Sequence, residues 1–181
     1  MKRLIAGPVL VLALAGAINA AAEEPAGRLL NPCVAITGAD SRVAERVYLR
    51  ITSAGDWTRV WQVHKGQKVT DQYDLFYDPL TLPLIDFDRY MVIAIFQGDG
   101  WNNAGLRPIS ISEENDRMIF RFENKGYQTG GSGPRGGGKK AAPYGFFVVP
   151  RSTKPLVLEE DQHSLIGDPP VWKERITFPK L

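Results

Sequence analysis

Eight consecutive residues, Tyr90-Met-Val-Ile-Ala-Ile-Phe-Gln97, set the tightest limit on what this chain can fold into. They are bounded by Asp88-Arg89 on one side and Gly98-Asp99-Gly100 on the other. A strand with one wet face alternates apolar and polar residues, whereas an unbroken apolar run needs cover on both faces. The run therefore predicts a central strand, and the rest of the chain must supply what covers it.

Several segments can do so. Phe146-Phe-Val-Val149, closed by Pro150, reads as a second buried strand. In Val43 to Thr52, Val47, Leu49 and Ile51 alternate with Arg46, Tyr48 and Arg50, the period of a half-buried strand. Leu106 to Ser112 and Arg117 to Glu123 form a hairpin pattern around Glu113-Glu-Asn-Asp116, and Trp172 to Phe178 alternates as an edge strand. Only Ser53 to Gly66 reads as a helix. Ser53 can cap it with Asp56 three residues on, Lys65-Gly66 stops it, and Trp57, Val60, Trp61 and His64 recur on one face. Two tryptophans one turn apart require a deep apolar surface, so the helix should dock across a sheet. The fold class is α+β, mainly β: an antiparallel sheet of about five to seven strands with one amphipathic helix packed on it. The absence of a βαβ rhythm argues against a parallel nucleotide-binding sheet.

The chain of 181 residues opens with Lys2-Arg3, an apolar run to Ala22, and the small residues Ala20-Ala-Ala22 before Glu23-Glu-Pro25. That is the three-part layout of a secretory signal; the alternative is an uncleaved anchor, against which Pro8 and a run short of the roughly 20 apolar residues of a span both argue. The expected organisation is a signal peptide over 1–22, an extended leader over 23–42 and one β-rich domain over 43–181, with periplasmic or secreted localisation and no membrane span after cleavage. Loss of Lys2 and Arg3 lowers the basic residues from 22 to 20, against 20 acidic, so bulk charge makes no case for nucleic acid as a partner. Cys33 is the single cysteine, so no internal disulfide can form and the core must carry stability. Its thiol is either buried or an intermolecular bridge.

Catalytic motifs are poorly represented. Gly133-Pro-Arg-Gly-Gly-Gly138-Lys139-Lys140 approaches a phosphate-binding loop, but Lys140 stands where Ser or Thr belongs, and a strand follows where a helix is required. The only candidate bases are His64, on the tryptophan face of the helix, and His163, in an acidic stretch. Asp71, Asp74 and Asp78 lack the spacing and glycine turn of a calcium loop. No catalytic residue, metal or cofactor is assigned.

Recognition is better supplied. Gly98 to Gly105 follows the most buried strand and brackets Trp101 with glycines and with Asn102 and Asn103. A tryptophan there is either a lid on the core or an exposed anchor. The glycine-rich stretch from Tyr127 to Lys140 carries Arg135, Lys139 and Lys140. If both loops lie at one end of the sheet, Trp101, Asn102, Asn103, Tyr127, Arg135, Lys139 and Lys140 form a protein-binding site.

Ile51-Thr-Ser-Ala-Gly-Asp-Trp57-Thr-Arg-Val-Trp61, Ile85 to Gly98, the Ile109-to-Phe122 hairpin, Tyr144-Gly-Phe-Phe-Val-Val-Pro150-Arg and Leu156 to Glu160 occur in this order. The order resembles the C-terminal domain of the PrcB-like bacterial proteins, named for an accessory subunit of a protease complex, over about Tyr48 to Glu160. The resemblance implies an exported, non-enzymatic protein-interaction module whose partner is another exported protein, in some members a protease that it matures or stabilises. The alternative is a proteinaceous protease inhibitor that presents the 98–105 loop as a wedge.

Overall fold

The computed structural model describes residues 28–32, 34–68, 82–130, 134–162 and 169–181. The signal peptide read over 1–22, Cys33, His163 and the aspartates of 71–78 lie outside the described residues.

The described chain is α+β and mainly β, as the pattern predicts, but its strands are divided between two sheets. One sheet holds five strands, in the order β1 (Arg28–Leu30), β6 (Asn103–Glu113), β7 (Met118–Gly126), β10 (Leu156–Asp161) and β11 (Trp172–Phe178). The other holds four, in the order β2 (Val34–Gly38), β9 (Tyr144–Pro150), β4 (Tyr90–Gln97) and β3 (Arg46–Ile51). A short ribbon pairs β5 (Gly100–Trp101) with β8 (Lys140–Ala141). Pairing within the sheets is antiparallel except between β7 and β10.

The two sheets explain the unbroken apolar runs. On β4, Met91, Ile93 and Ile95 join Phe147 and Val149 of β9 in one core with Ile111, Phe120, Phe122, Leu156 and Leu158 of the five-stranded sheet. The intervening residues Val92, Ala94, Phe96, Phe146 and Val148 join a second core with Trp57, Trp61 and Ile51. Strands β4 and β9 are thus the middle layer, between a sheet and a helix, and neither face of either strand is left wet. Phe120 and Phe147 meet across the inter-sheet core with ring centroids 4.9 Å apart.

Helix α1 (Ala54–Lys65) begins and ends where its sequence signals place it. Ser53 Oγ accepts from the Asp56 N–H at 3.2 Å, and Gly66, at φ 69°, closes the C-terminus with bonds to the carbonyls of Gln62 and Val63. Trp57 and Trp61 flank Phe146 with centroids 5.1 and 5.4 Å away. Each such tryptophan removes roughly 200 Å² from water, worth about 5 kcal/mol at the usual area coefficient. Trp57 Nε1 keeps its hydrogen bond by donating to the Pro83 carbonyl at 2.9 Å.

Three departures from the sequence reading bear on the site. The stretch read as a leader over 23–42 supplies one strand to each sheet, β1 against β6 and β2 against β9. The hairpin strands run further than their apolar residues suggest, reaching Asn103 on β6 and Gly126 on β7, which pair with each other. Pro108 is accommodated inside β6 by an irregularity in register between Pro108 and Ser110, where a missing N–H costs least. Finally, Leu156–Asp161 is a strand that the pattern did not single out, and it lies parallel to β7.

Candidate functional site

At the Gln97 end of β4 the chain turns through Gly98 and Asp99 into the β5–β8 ribbon, which forms one wall of a cavity of about 1000 Å³. Segments distant in sequence line it. Asp99, Gly100, Trp101, Asn103 and Ala104 come from the segment that leads out of β4 through β5 into the start of β6, Tyr127 from the end of β7, and Lys139 to Ala142 from the approach to β9. The fourth contribution, Asp40, Ser41 and Arg42, comes from the leader.

Backbone pairing explains how these segments meet. Trp101 stands opposite Lys140, and Gly100 opposite Ala141, in the ribbon. On the other side of the same segment, Ala142 N–H donates to the Ala39 carbonyl at 2.8 Å and Ser41 N–H to the Ala142 carbonyl at 3.1 Å. Arg42 N–H donates to the His64 carbonyl at 3.0 Å, which ties the leader to the last turn of α1.

Asn102 joins the two glycine-bounded loops. Its N–H donates to the Lys139 carbonyl and its carbonyl accepts from the Tyr127 N–H, both at 2.9 Å. Its side-chain Oδ1 accepts from the Lys139 N–H at 2.9 Å and its Nδ2 donates to Thr129 Oγ1 at 2.9 Å. At φ 54° it is the one non-glycine among the described residues in the left-handed region, where asparagine is tolerated better than most. Asn103 is similarly committed: Oδ1 accepts from the Gly105 N–H at 2.7 Å, and Nδ2 donates to Asn124 Oδ1 at 3.2 Å.

The residues singled out from sequence therefore have different positions. Trp101 and Tyr127 line the cavity while remaining 38% and 43% exposed, and Lys139 and Lys140 line it from the opposite strand of the ribbon and beyond. Asn102 and Asn103 direct their amides into the scaffold and hold the loops together. Arg135 lies exposed in a single 3-10 turn, Pro134–Gly136, outside the lining. Asp40, Ser41 and Arg42 were not legible as site residues. Nothing in an aperiodic leader signals that a bridge from Asp40 to Ala142 will bring it to the cavity.

Behind this wall sits His64, buried to 2% exposure among the rings of Trp61, Phe96, Tyr144 and Phe146. Its Nδ1 is 3.1 Å from Ser41 Oγ. Burial first, and the Lys65 ammonium second, push its pKa down to about 4, with Asp40 pulling the other way. The imidazole is neutral at pH 7. Burial, then the Asp40 charge, also raises the Tyr144 phenol above its ordinary range. The Ser41–His64 contact looks like half of a nucleophile–base pair, but among the described residues no third group orients the ring: Nε2 is buried without a hydrogen-bond partner there. Ser41 Oγ also accepts from the Val43 N–H at 3.1 Å, the bond of a turn residue.

The class of protein defined so far is a helix-backed two-sheet β domain with a cavity at one end, walled by loops from both sheets. No family model, curated protein or solved structure matches the chain. The resemblance to the PrcB-like proteins accordingly rests on the sequence pattern alone. Among the described residues, no helix is long and apolar enough to cross a membrane.

Proposed function

We propose that this protein is an exported, non-catalytic binding module that engages another exported protein through the cavity at the Gln97 end of β4. The observation that carries the reading is the bonding of Asn102. Four hydrogen bonds tie the 98–105 loop to the segments at 127–129 and 139, and leave Trp101 and Tyr127 half-exposed on the cavity wall. Aromatic side chains held on a bonded scaffold lose little entropy when they bind, which is what an interface anchor requires. Export rests on the N-terminal sequence, and the narrower form, an accessory that stabilises a protease, rests on the resemblance.

The inhibitor reading draws less support. A wedge has to enter a protease cleft as a projecting segment, and here Gly100–Trp101 is paired with Lys140–Ala141 while Asn103 already belongs to β6. A hydrolase reading through His64 is disfavoured by the buried, unpartnered Nε2.

The test is capture from the native envelope fraction by the mature protein and by Trp101→Ala, with the captured proteins identified and assayed. Recovery of one exported protein by the native form alone supports the site, and a protease whose activity is kept or raised supports the accessory form. Equal recovery by both forms removes Trp101 from the site. Inhibition of the captured protease selects the alternative.

A further inference from the structure

The cavity lining brings Arg42, Lys139 and Lys140 together with the half-exposed Trp101 and Tyr127. Once the signal residues are removed the chain is balanced at 20 basic and 20 acidic residues, yet from Lys125 to Lys140 there are four basic residues and no acidic one. Five cations elsewhere are neutralised locally, whereas others, Arg46, Arg89 and Lys173 among them, hold no carboxylate among the described residues. Arg107, Arg117, Arg121, Lys154 and Arg175 each hold a carboxylate, of Glu123, Glu114, Glu159, Glu113 and Glu160, at 2.5 to 3.1 Å. Lys125, Arg135, Lys139 and Lys140 make no ion pair among the described residues, and all four are exposed. Arg42 lines the cavity and makes no ion pair among the described residues either.

We infer that the cavity receives an acidic segment of the partner bearing an aromatic or large apolar side chain. Its carboxylates face Lys139, Lys140 and Arg42, and its apolar group lies against Trp101 and Tyr127. This rests on the reading of the cavity as the partner site. Unneutralised cations beside half-exposed aromatics suit a ligand that offers charge and apolar surface together. Asp40 and Asp99, also in the lining, act against a uniform polyanion, because a nucleic-acid backbone would bring phosphates against them. A peptide whose carboxylates are spaced can meet the basic wall and avoid the two aspartates.

The experiment is an NMR titration of the mature protein with three blocked peptides of equal length, each carrying one phenylalanine, in glutamate, glutamine and lysine versions. An oligodeoxythymidine is the fourth probe. The expected result is saturable shifts of the amides of 100–104, 127–129 and 139–142 with the glutamate peptide alone. Affinity should fall about tenfold between roughly 50 and 500 mM NaCl. The double variant Lys139→Glu/Lys140→Glu should lose the glutamate peptide and gain the lysine one. Lys139 bonds to Asn102 only through its backbone, so the variant should keep the dispersed amide spectrum of β4. Equal binding of the glutamine peptide or of the oligonucleotide would overturn the inference, and so would the absence of shifts with every probe. Trp101-dependent capture of a partner without acidic preference would sink the chemistry and leave the site standing. No capture and no shift would sink both.

Discussion

Asn102 and Lys139 exchange two hydrogen bonds: the Asn102 N–H donates to the Lys139 carbonyl, and the Lys139 N–H donates to Asn102 Oδ1, each at 2.9 Å. The side-chain amide thus imitates a strand edge and docks one loop on the other. This makes the geometry of the cavity wall depend on a residue that is not itself in the lining.

Replacing Asn102 should separate its two contributions. Asn102→Gly keeps the left-handed backbone and the N–H bond to the Lys139 carbonyl but loses the two side-chain bonds, to the Lys139 N–H and to Thr129, at a cost of about 1–2 kcal/mol. Asn102→Ala loses the same bonds and adds backbone strain, for about 3 kcal/mol in total. Urea unfolding of both variants measures the difference. Equal losses would show that the φ of 54° carries no cost.

His64 should make stability depend on pH. Its pKa is about 4 when folded against an ordinary 6.5, so below pH 6.5 the unfolded chain binds the proton more readily. The stability it contributes is complete above pH 6.5 and is lost as pH falls toward 4, by about 3 kcal/mol over that window. Unfolding midpoints followed from pH 7 to pH 4 should slope downward in the native protein. In His64→Phe that part of the slope should vanish, whatever the variant's absolute stability. An unchanged slope would place the titrating group elsewhere.

Glu160 tests whether the polar end of the sandwich is held by charge. Only 3% exposed, it accepts from Arg175 Nε and Asn124 Nδ2, and its charge, after burial, raises the Tyr48 phenol. Glu160→Gln leaves the largely covered Arg175 without its counter-charge, and should cost about 2–4 kcal/mol by denaturant unfolding. Glu160→Gln/Arg175→Met should recover most of that loss. A double variant no more stable than the single one would mean that the other partners of Glu160 matter more than the pair.

Two glycines should respond in opposite directions. A Cβ on Gly98, at φ 76°, would lie 2.7 Å from the Ala44 carbonyl oxygen, a backbone atom that cannot swing aside. Gly98→Ala should therefore destabilise by about 3 kcal/mol or more and loosen the turn that leads to Trp101. Gly55, in the first turn of α1, has nothing within 4 Å of the same position, and Gly55→Ala should stabilise by about 0.5–1 kcal/mol. Thermal melts of the two variants check both signs.

The tertiary arrangement was legible wherever a segment's own residues state their burial. Tyr90–Gln97 declared cover on two faces, Trp57 and Trp61 declared a helix docked on a sheet, and the signals at Ser53 and Gly66 bounded that helix correctly. Strands such as Arg28–Leu30, Val34–Gly38 and Lys140–Ala141 were not legible, because each is short and is held by the backbone of a partner far along the chain. The second sheet escaped notice for the same reason: hydrophobic period reports that a face is covered, but not by what.

The same division runs through the candidate site. From sequence alone came the chemistry available to it: a tryptophan between glycines, two asparagines, and a basic loop without acids. Only the fold decided that the 98–105 segment shares one wall with Tyr127, Lys139 and Lys140, that Asn102 and Asn103 turn inward to hold it, and that Asp40, Ser41 and Arg42 complete it. Local residue chemistry is written in the order of the chain. The meeting of distant segments depends on which backbone donors and acceptors remain to be satisfied once the two cores have closed, and that is settled only by the folded whole.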